Sequence, residues 1–229
     1  MLKTNLEYIN SEISKARAKS PYGQEVSLIA VSKTHPVSVI KEAYDLGVRD
    51  FGENRVQELL EKIDKLPSDI RWHLIGHLQA NKVKYIVDKV YMIHSVDSVK
   101  LAEEIEKQAA KKDVTVKILI QLNISHEESK FGADARDAQE MIDIISRMPH
   151  IKIMGFMTIA PFTDDAETVR DIFRKLKKLS IDIELLNNDN NRVCTLSMGM
   201  SGDFSVAIEE GATMVRIGTG IFGERDYSI

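Results

Sequence analysis

Four stretches of the chain carry side chains suited to chemistry on a small polar ligand. In "SLIAVSKTHP" an apolar run stops on Lys33, a primary amine capable of nucleophilic attack on a carbonyl. In "DFGEN" a second short run stops on Glu53 and Asn54, and the amide of Asn54 can donate and accept at once. "TLSMGMSGDF" and "VRIGTGIFG" end in small and hydroxyl residues, among them Ser201, Gly218, Thr219 and Gly220. Small residues let an anion approach backbone N–H groups, and Ser201 and Thr219 add hydroxyl donors; a following helix start adds a favourable dipole. Each feature also has a plain structural reading. Lys33 alone reads as a surface lysine, Asn54 as a helix N-cap, the glycines as turn formers, and Arg216 as a rim ion-pair residue.

The elements around them decide between these readings. Short β-branched or aliphatic runs alternate with helical patterns along the whole chain. Strands are expected at Val26–Lys33, Arg49–Asn54, Arg71–Gly76, Val90–Val96, Thr115–Ile124, Lys152–Ile159, Thr195–Met200 and Met214–Gly218. Helices are expected near 36–46, 55–65, 79–89, 98–111, 134–147, 163–179 and 203–210, with Ser98, Asp134 and Thr163 near three of the starts. Strands joined by helical crossovers pair in parallel, and eight such units can close into a barrel. The expected fold is therefore α/β, a single (β/α)8 TIM-type barrel over residues 1–229, preceded by an amphipathic N-terminal helix. An open doubly wound sheet shares the local pattern, but no Gly-x-Gly-x-x-Gly run follows the first strand. In a barrel, reactive groups gather at the carboxyl ends of the strands, and the loops after strands 7 and 8 often take phosphate. Lys33, Asn54, Ser201, Gly218 and Thr219 all fall at that rim.

Composition narrows the partners. With 31 basic and 35 acidic residues, the net charge of −4 gives no electrostatic case for nucleic acid or an anionic membrane. The basic run "RDIFRKLKKLS" carries an apolar stripe of Ile172, Phe173, Leu176 and Leu179, as an outer barrel helix would. One cysteine, Cys194, excludes an internal disulfide, and the charged N-terminus lacks the apolar core of a signal peptide. A cytoplasmic protein without a membrane span is expected. His73 and His77 in "WHLIGH" have a metal-like spacing, but on an extended segment a four-residue step does not bring two rings together, so no metal site is expected. Trp72 reads as packing.

An amine at strand 1 and a phosphate cradle at strands 7 and 8 fit a phosphorylated aldehyde held as a Schiff base, a description that pyridoxal 5′-phosphate satisfies. The chain also resembles the pyridoxal-phosphate homeostasis proteins, whose barrel is similar to the cofactor domain of bacterial alanine racemases. The resemblance rests on "IAVSKTHP", "FGENRVQELLEK", "WHLIGHLQANK", "HSVDS", "QLNIS" with "KFG", "GFMTIAP", "LSMGMSGDF" and "VRIGTGIFG", in order along nearly the whole chain. It implies that Lys33 forms the Schiff base, Asn54 lies beside the ring, and Ser201, Gly218 and Thr219 hold the phosphate. It further implies that Arg216 faces the pyridine nitrogen, where a permanent cation disfavours ring protonation and weakens the electron sink.

Two positions depart from the family pattern: Arg55 stands where tyrosine is expected, and His35 where lysine is common. They bear on how the outer rim of the pocket closes. By the same resemblance an alanine racemase takes its second base, a tyrosine, from a further β-domain, whereas this sequence ends eleven residues after Gly218. The expectation is a monomeric carrier or regulator of the cofactor, with PLP-dependent apoenzymes as recipients and an amino-acid racemase as the alternative. A barrel serving only as an interaction scaffold would leave Lys33, Ser201, Arg216 and Gly218 without a purpose.

Overall fold

The computed structural model describes residues 1–125, 127, 131–186 and 194–223. Lys130 of the "KFG" motif lies outside the described residues. The strands are β1 (Ser27–Val31), β2 (Asp50–Glu53), β3 (Arg71–Leu74), β4 (Met92–Val96), β5 (Val116–Gln121), β6 (Ile151–Met157), β7 (Thr195–Ser197) and β8 (Met214–Ile217). They pair in parallel in chain order, and β8 pairs β1 with Ile29 opposite Arg216, closing the barrel. Closure removes the open-sheet alternative. Helices α1 (Leu2–Lys19), α2 (Val37–Asp45), α3 (Val56–Ile63), α4 (Val99–Lys112), α5 (Ala138–Ile145), α6 (Arg170–Leu186), α7 (Phe204–Glu209) and α8 (Thr219–Phe222) accompany them. Among the described residues, no helix is long and apolar enough to cross a membrane.

Strand alternation sorts the side chains into two interiors. Outward residues such as Phe51, Trp72, Leu74, Ile93, Leu196, Val215 and Ile217 join the helices in the main core. Trp72 is buried there with its ring centroid 5.9 Å from that of Phe51, as the packing reading required. A separate cluster of Met92, Leu119 and Met157, flanked by Met214, contributes to the barrel lumen. Helix α1 buries Leu2, Leu6, Ile9, Ile13 and Ala16 at helical spacing, and Asn5 donates to the Ile221 carbonyl of α8 at 2.9 Å. The N-terminal helix is thus fixed over the seam where the last unit meets the first.

Seven of the strands stop one to three residues short of their expected C-terminal ends. The chain there leaves the ladder to build the βα loops, so Lys33, Asn54 and Ser201 sit just beyond strands. The helix expected at 79–89 is instead a 3-10 segment, Ala80–Tyr85. Val83 is its buried residue and Ile86, the residue that caps it, is buried three positions on, the spacing that a 3-10 turn stacks, and β-branched residues weaken an α-helix there. Helix α6 starts at Arg170 rather than near Thr163, because Thr163 and Asp165 bind nearby backbone N–H groups in a capping turn. It extends past Leu179 because Ile183 continues the buried stripe of Phe173 and Leu176.

Candidate functional site

A cavity of about 660 Å³ opens at the C-terminal rim of the barrel. Lys33, Asn54, Ser201, Arg216, Gly218 and Thr219 all line it, together with Val31, Ile75, Ile159, Phe162, Met200 and Asp203. The volume lies within the range of small-molecule sites, roughly 300–1,000 Å³. The barrel brings all six residues expected from the sequence to this one place.

Lys33 is presented on a tight turn. His35 N–H donates to the Ser32 carbonyl at 3.1 Å, and Thr34 between them has φ of 68°. A β-branched residue in the left-handed region is costly and persists only when its surroundings hold it. The support comes from α3. The Lys62 ammonium is buried and donates to the Ser32 carbonyl at 2.9 Å, to Glu53 at 2.7 Å and to Glu58 at 2.6 Å. Ser32 Oγ donates to Glu53 at 2.6 Å, while Glu58 accepts from the Thr34 N–H. Both neighbours of Lys33 are therefore gripped by one ionic cluster. Burial pushes the Glu53 carboxyl above the usual carboxylate range, against the pull of Lys62. Its parity along β2 sends Glu53 outward to α3 and Asn54 inward to the cavity.

Asn54 is not the helix cap, since Arg55 takes that position and no side chain caps α3. The close passage of the two loops depends on Gly76, where a Cβ would stand 2.4 Å from the Asn54 carbonyl oxygen. Arg55 is exposed, and the His35 ring lies 4.7 Å from that of Phe222 in α8. His35 thus packs the first loop against the last.

The loops after β7 and β8 meet through Ser201, whose Oγ accepts from the Gly220 N–H at 3.4 Å. β7 is turned sharply by Gly199, which has φ of 92° and where a Cβ would meet Ala207 Cβ at 2.7 Å. With six residues in α7 and four in α8, the helices contribute little macrodipole. What these loops offer an anion is backbone N–H groups, hydroxyls and close approach. The Asp203 carboxylate nearby already accepts from the Met200 N–H; burial pushes its titration up.

Arg216 is 4% exposed, so it is no rim ion pair. Its guanidinium donates to Ser197 Oγ at 2.7 Å and to the Thr158 carbonyl at 2.9 Å. Desolvation lowers its titration to about 10, which leaves it cationic at neutral pH. Ser197 and Thr158 were not singled out from sequence, nor were Ser32 and Lys62. The available signals were a serine and a threonine in otherwise apolar strands and the 4-residue Glu58–Lys62 step. His73 and His77 are not brought together: His73 bonds His94 at 2.9 Å inside the barrel, whereas His77 stacks on Phe131 at 4.1 Å.

A closed parallel barrel with a cavity of mixed polar and apolar lining at its C-terminal rim, an amine on the first loop and a buried guanidinium on the last strand defines a ligand-binding (β/α)8 class. Residues 4–226 match the alanine racemase N-terminal domain family. The pyridoxal phosphate homeostasis protein of Aquifex aeolicus is 46% identical over 224 residues, 97% of each chain. That of Vibrio alginolyticus is 40% identical over 99% of each. The structure of PipY from Synechococcus elongatus with PLP bound superposes with a TM-score of 0.85 at 35% identity, covering 97% of this chain and all of that one. The chain belongs to the pyridoxal phosphate homeostasis protein family.

Proposed function

We infer that this chain binds pyridoxal 5′-phosphate in the rim cavity through Lys33 and serves intracellular vitamin B6 homeostasis as a monomeric, cytoplasmic carrier or regulator, handing cofactor to dependent apoenzymes. The observation that carries the reading is the convergence of Lys33, Arg216, Ser201, Gly218 and Thr219 on one cavity. The names of the relatives and the PLP-bound form of PipY support it.

The donor set fits the group. When bound, the cofactor supplies an aldehyde that joins an amine reversibly and a ring that can withdraw electrons. Lys33 offers the amine on a turn fixed on both sides. Ser201, Thr219 and the N–H groups of the last two loops offer donors to a phosphate. Arg216 has donors only, so against a ring nitrogen it hydrogen-bonds the unprotonated form and opposes its protonation. A site built this way binds the cofactor while restraining its chemistry.

The alternative is an amino-acid racemase, which needs a proton-transferring group on each face of the substrate carbon. Among the described residues lining the cavity, Lys33 is the evident base, and the Asp203 carboxylate is engaged by Met200 N–H. Absorbance spectra of the purified protein with added cofactor, before and after borohydride reduction, test the reading. An imine band and a reduced adduct located on Lys33 by peptide mass are expected, both absent in Lys33→Ala. A full-occupancy adduct on another lysine would overturn the assignment.

A further inference from the structure

Arg216 is the end of a polar chain that runs through the barrel interior. Arg216 Nη1 lies 2.7 Å from Ser197 Oγ, which lies 2.9 Å from His94 Nδ1. His94 Nε2 lies 2.9 Å from His73 Nδ1, and His73 Nε2 lies 3.0 Å from Asp50 Oδ1. Asp50 opens β2 and is clamped by Arg71, which opens β3, so the chain starts at the N-terminal rim, opposite the cavity. The link from His94 to Ser197 joins β4 to β7, which are three positions apart in the sheet, and so it crosses the lumen. Ser197, His94 and His73 have no solvent exposure.

The two ends fix the direction of every bond between them. Arg216 can only donate, and an ionised Asp50 can only accept. His73 must then carry its proton on Nε2, which leaves Nδ1 to accept from His94 Nε2–H. His94 Nδ1 in turn accepts the Ser197 hydroxyl proton, and a lone pair of Ser197 receives Arg216. One arrangement of protons satisfies all four links with both imidazoles neutral. Flipping His73 breaks two of them, and flipping His94 breaks the link between the two rings. Burial favours the neutral rings; at His73 it outweighs Asp50, which favours a positive charge, with Arg71 and Lys117 opposing one, and at His94 His73 and Arg216 add to it. The Asp50 carboxyl, although raised by burial, is held down at about 2 by Arg71 and His73.

We propose that Asp50, His73, His94 and Ser197 are positioning residues for Arg216, a one-directional hydrogen-bonded chain that holds its guanidinium in a single orientation in the cavity and ties that orientation to a carboxylate at the far rim. The inference rests on the reading of the cavity as the pyridoxal 5′-phosphate site. Methionines already contribute to the same lumen, so an apolar filling was open to this fold and would avoid desolvating four polar groups. What the polar chain adds is direction, which packing cannot give.

Long-range proton–nitrogen NMR of the full chain without cofactor decides the proton order. Both His73 and His94 should show neutral imidazoles protonated on Nε2 from about pH 6 to 8. An Nδ1–H tautomer on either, or an imidazolium in that window, overturns the chain. Positioning is then read with ¹⁵N-labelled pyridoxal 5′-phosphate. Ser197→Ala should weaken binding about tenfold, as loss of a hydrogen bond to a charged group does, and should move the ring-nitrogen signal. Asp50→Asn, which keeps an acceptor for His73, should move that signal with less effect on affinity. If both variants only lower the melting temperature and leave the ring-nitrogen signal in place, the chain is structural and the proposal falls. A wild-type chain that binds no cofactor would sink the functional reading instead, with the imidazole spectra still deciding the proton order.

Discussion

The buried ammonium of Lys62 donates to the carbonyl of Ser32 at 2.9 Å, and so a cation on α3 fixes the residue immediately before Lys33. The same ammonium bonds Glu53, whose side chain has no solvent exposure and whose second oxygen meets no hydrogen-bond partner among the described residues. The strained turn that presents the amine depends on this arrangement.

Replacing Lys62 by Met would leave Glu53 buried without its cation. Breaking a buried pair in this way costs about 3–5 kcal/mol, and urea unfolding at pH 7.5 should show it. At pH 5 the loss should shrink, because Glu53 can take up a proton and shed its buried charge. An equal loss at both pH values would show that Glu53 is not the group left stranded. Lys62→Met should also reduce the extent of adduct at Lys33.

Glu53 gives the unaltered protein its own pH signature. Its folded-state titration lies above the ordinary 4.5, so the native state holds the proton more tightly than the unfolded chain. Its contribution is fully present below that ordinary value and is lost as pH rises through the folded value. Stability curves from pH 4 to 7 should therefore be flatter in Glu53→Gln than in the parent. An unchanged slope would assign the pH dependence elsewhere.

Ser201→Ala removes a hydroxyl that joins the last two loops and, on the functional reading, a hydrogen bond to phosphate worth roughly 1.5–3 kcal/mol. Affinity for pyridoxal 5′-phosphate should fall about tenfold or more, with Thr219→Ala similar. Titration with unphosphorylated pyridoxal supplies the control. It should be insensitive to both changes, and matching losses would show that these loops do not read phosphate.

Two glycines in the same loop should respond differently. At Gly199 a methyl would stand 2.7 Å from Ala207 Cβ and 2.9 Å from Phe204 Cα, at a φ of 92°. Gly199→Ala should destabilise by about 1–3 kcal/mol and weaken the ligand through displacement of α7. At Gly202 nothing lies within 4 Å of the added carbon, and Gly202→Ala should stay within about 0.5 kcal/mol. Thermal melts of the pair would check the contrast.

Carrier and racemase separate on turnover. The parent protein should exchange bound cofactor with added amines yet racemize common amino acids far below the ~1 s⁻¹ of a dedicated enzyme. Arg216→Glu would favour a protonated ring nitrogen and admit slow transamination, so binding is measured alongside. Racemization by the parent at ~1 s⁻¹ or faster, lost in Lys33→Ala, would establish the enzyme.

The sequence by itself determined the barrel and the rim at which Lys33, Asn54, Ser201, Gly218 and Thr219 gather. Hydrophobic period and crossover length force parallel pairing, and a closed parallel barrel brings all its strand ends to one rim, so Lys33 and Thr219 could be placed together although far apart in sequence, while the place of Arg216 came only from the family resemblance. Spacing along the chain served poorly wherever contact crosses the structure. His73 and His77, four apart on an extended segment, were not expected to meet, but nothing in their spacing shows that the partner of His73 is His94, 21 residues away, or that the partner of His94 is Ser197, 103 residues away. Lys62 was not singled out from the sequence, and its burial against Glu53 emerges only when α3 packs beside β2. Local periodicity reports which face of an element is apolar; which polar groups meet inside the lumen is decided by strand register and barrel closure, and these exist only in the folded chain.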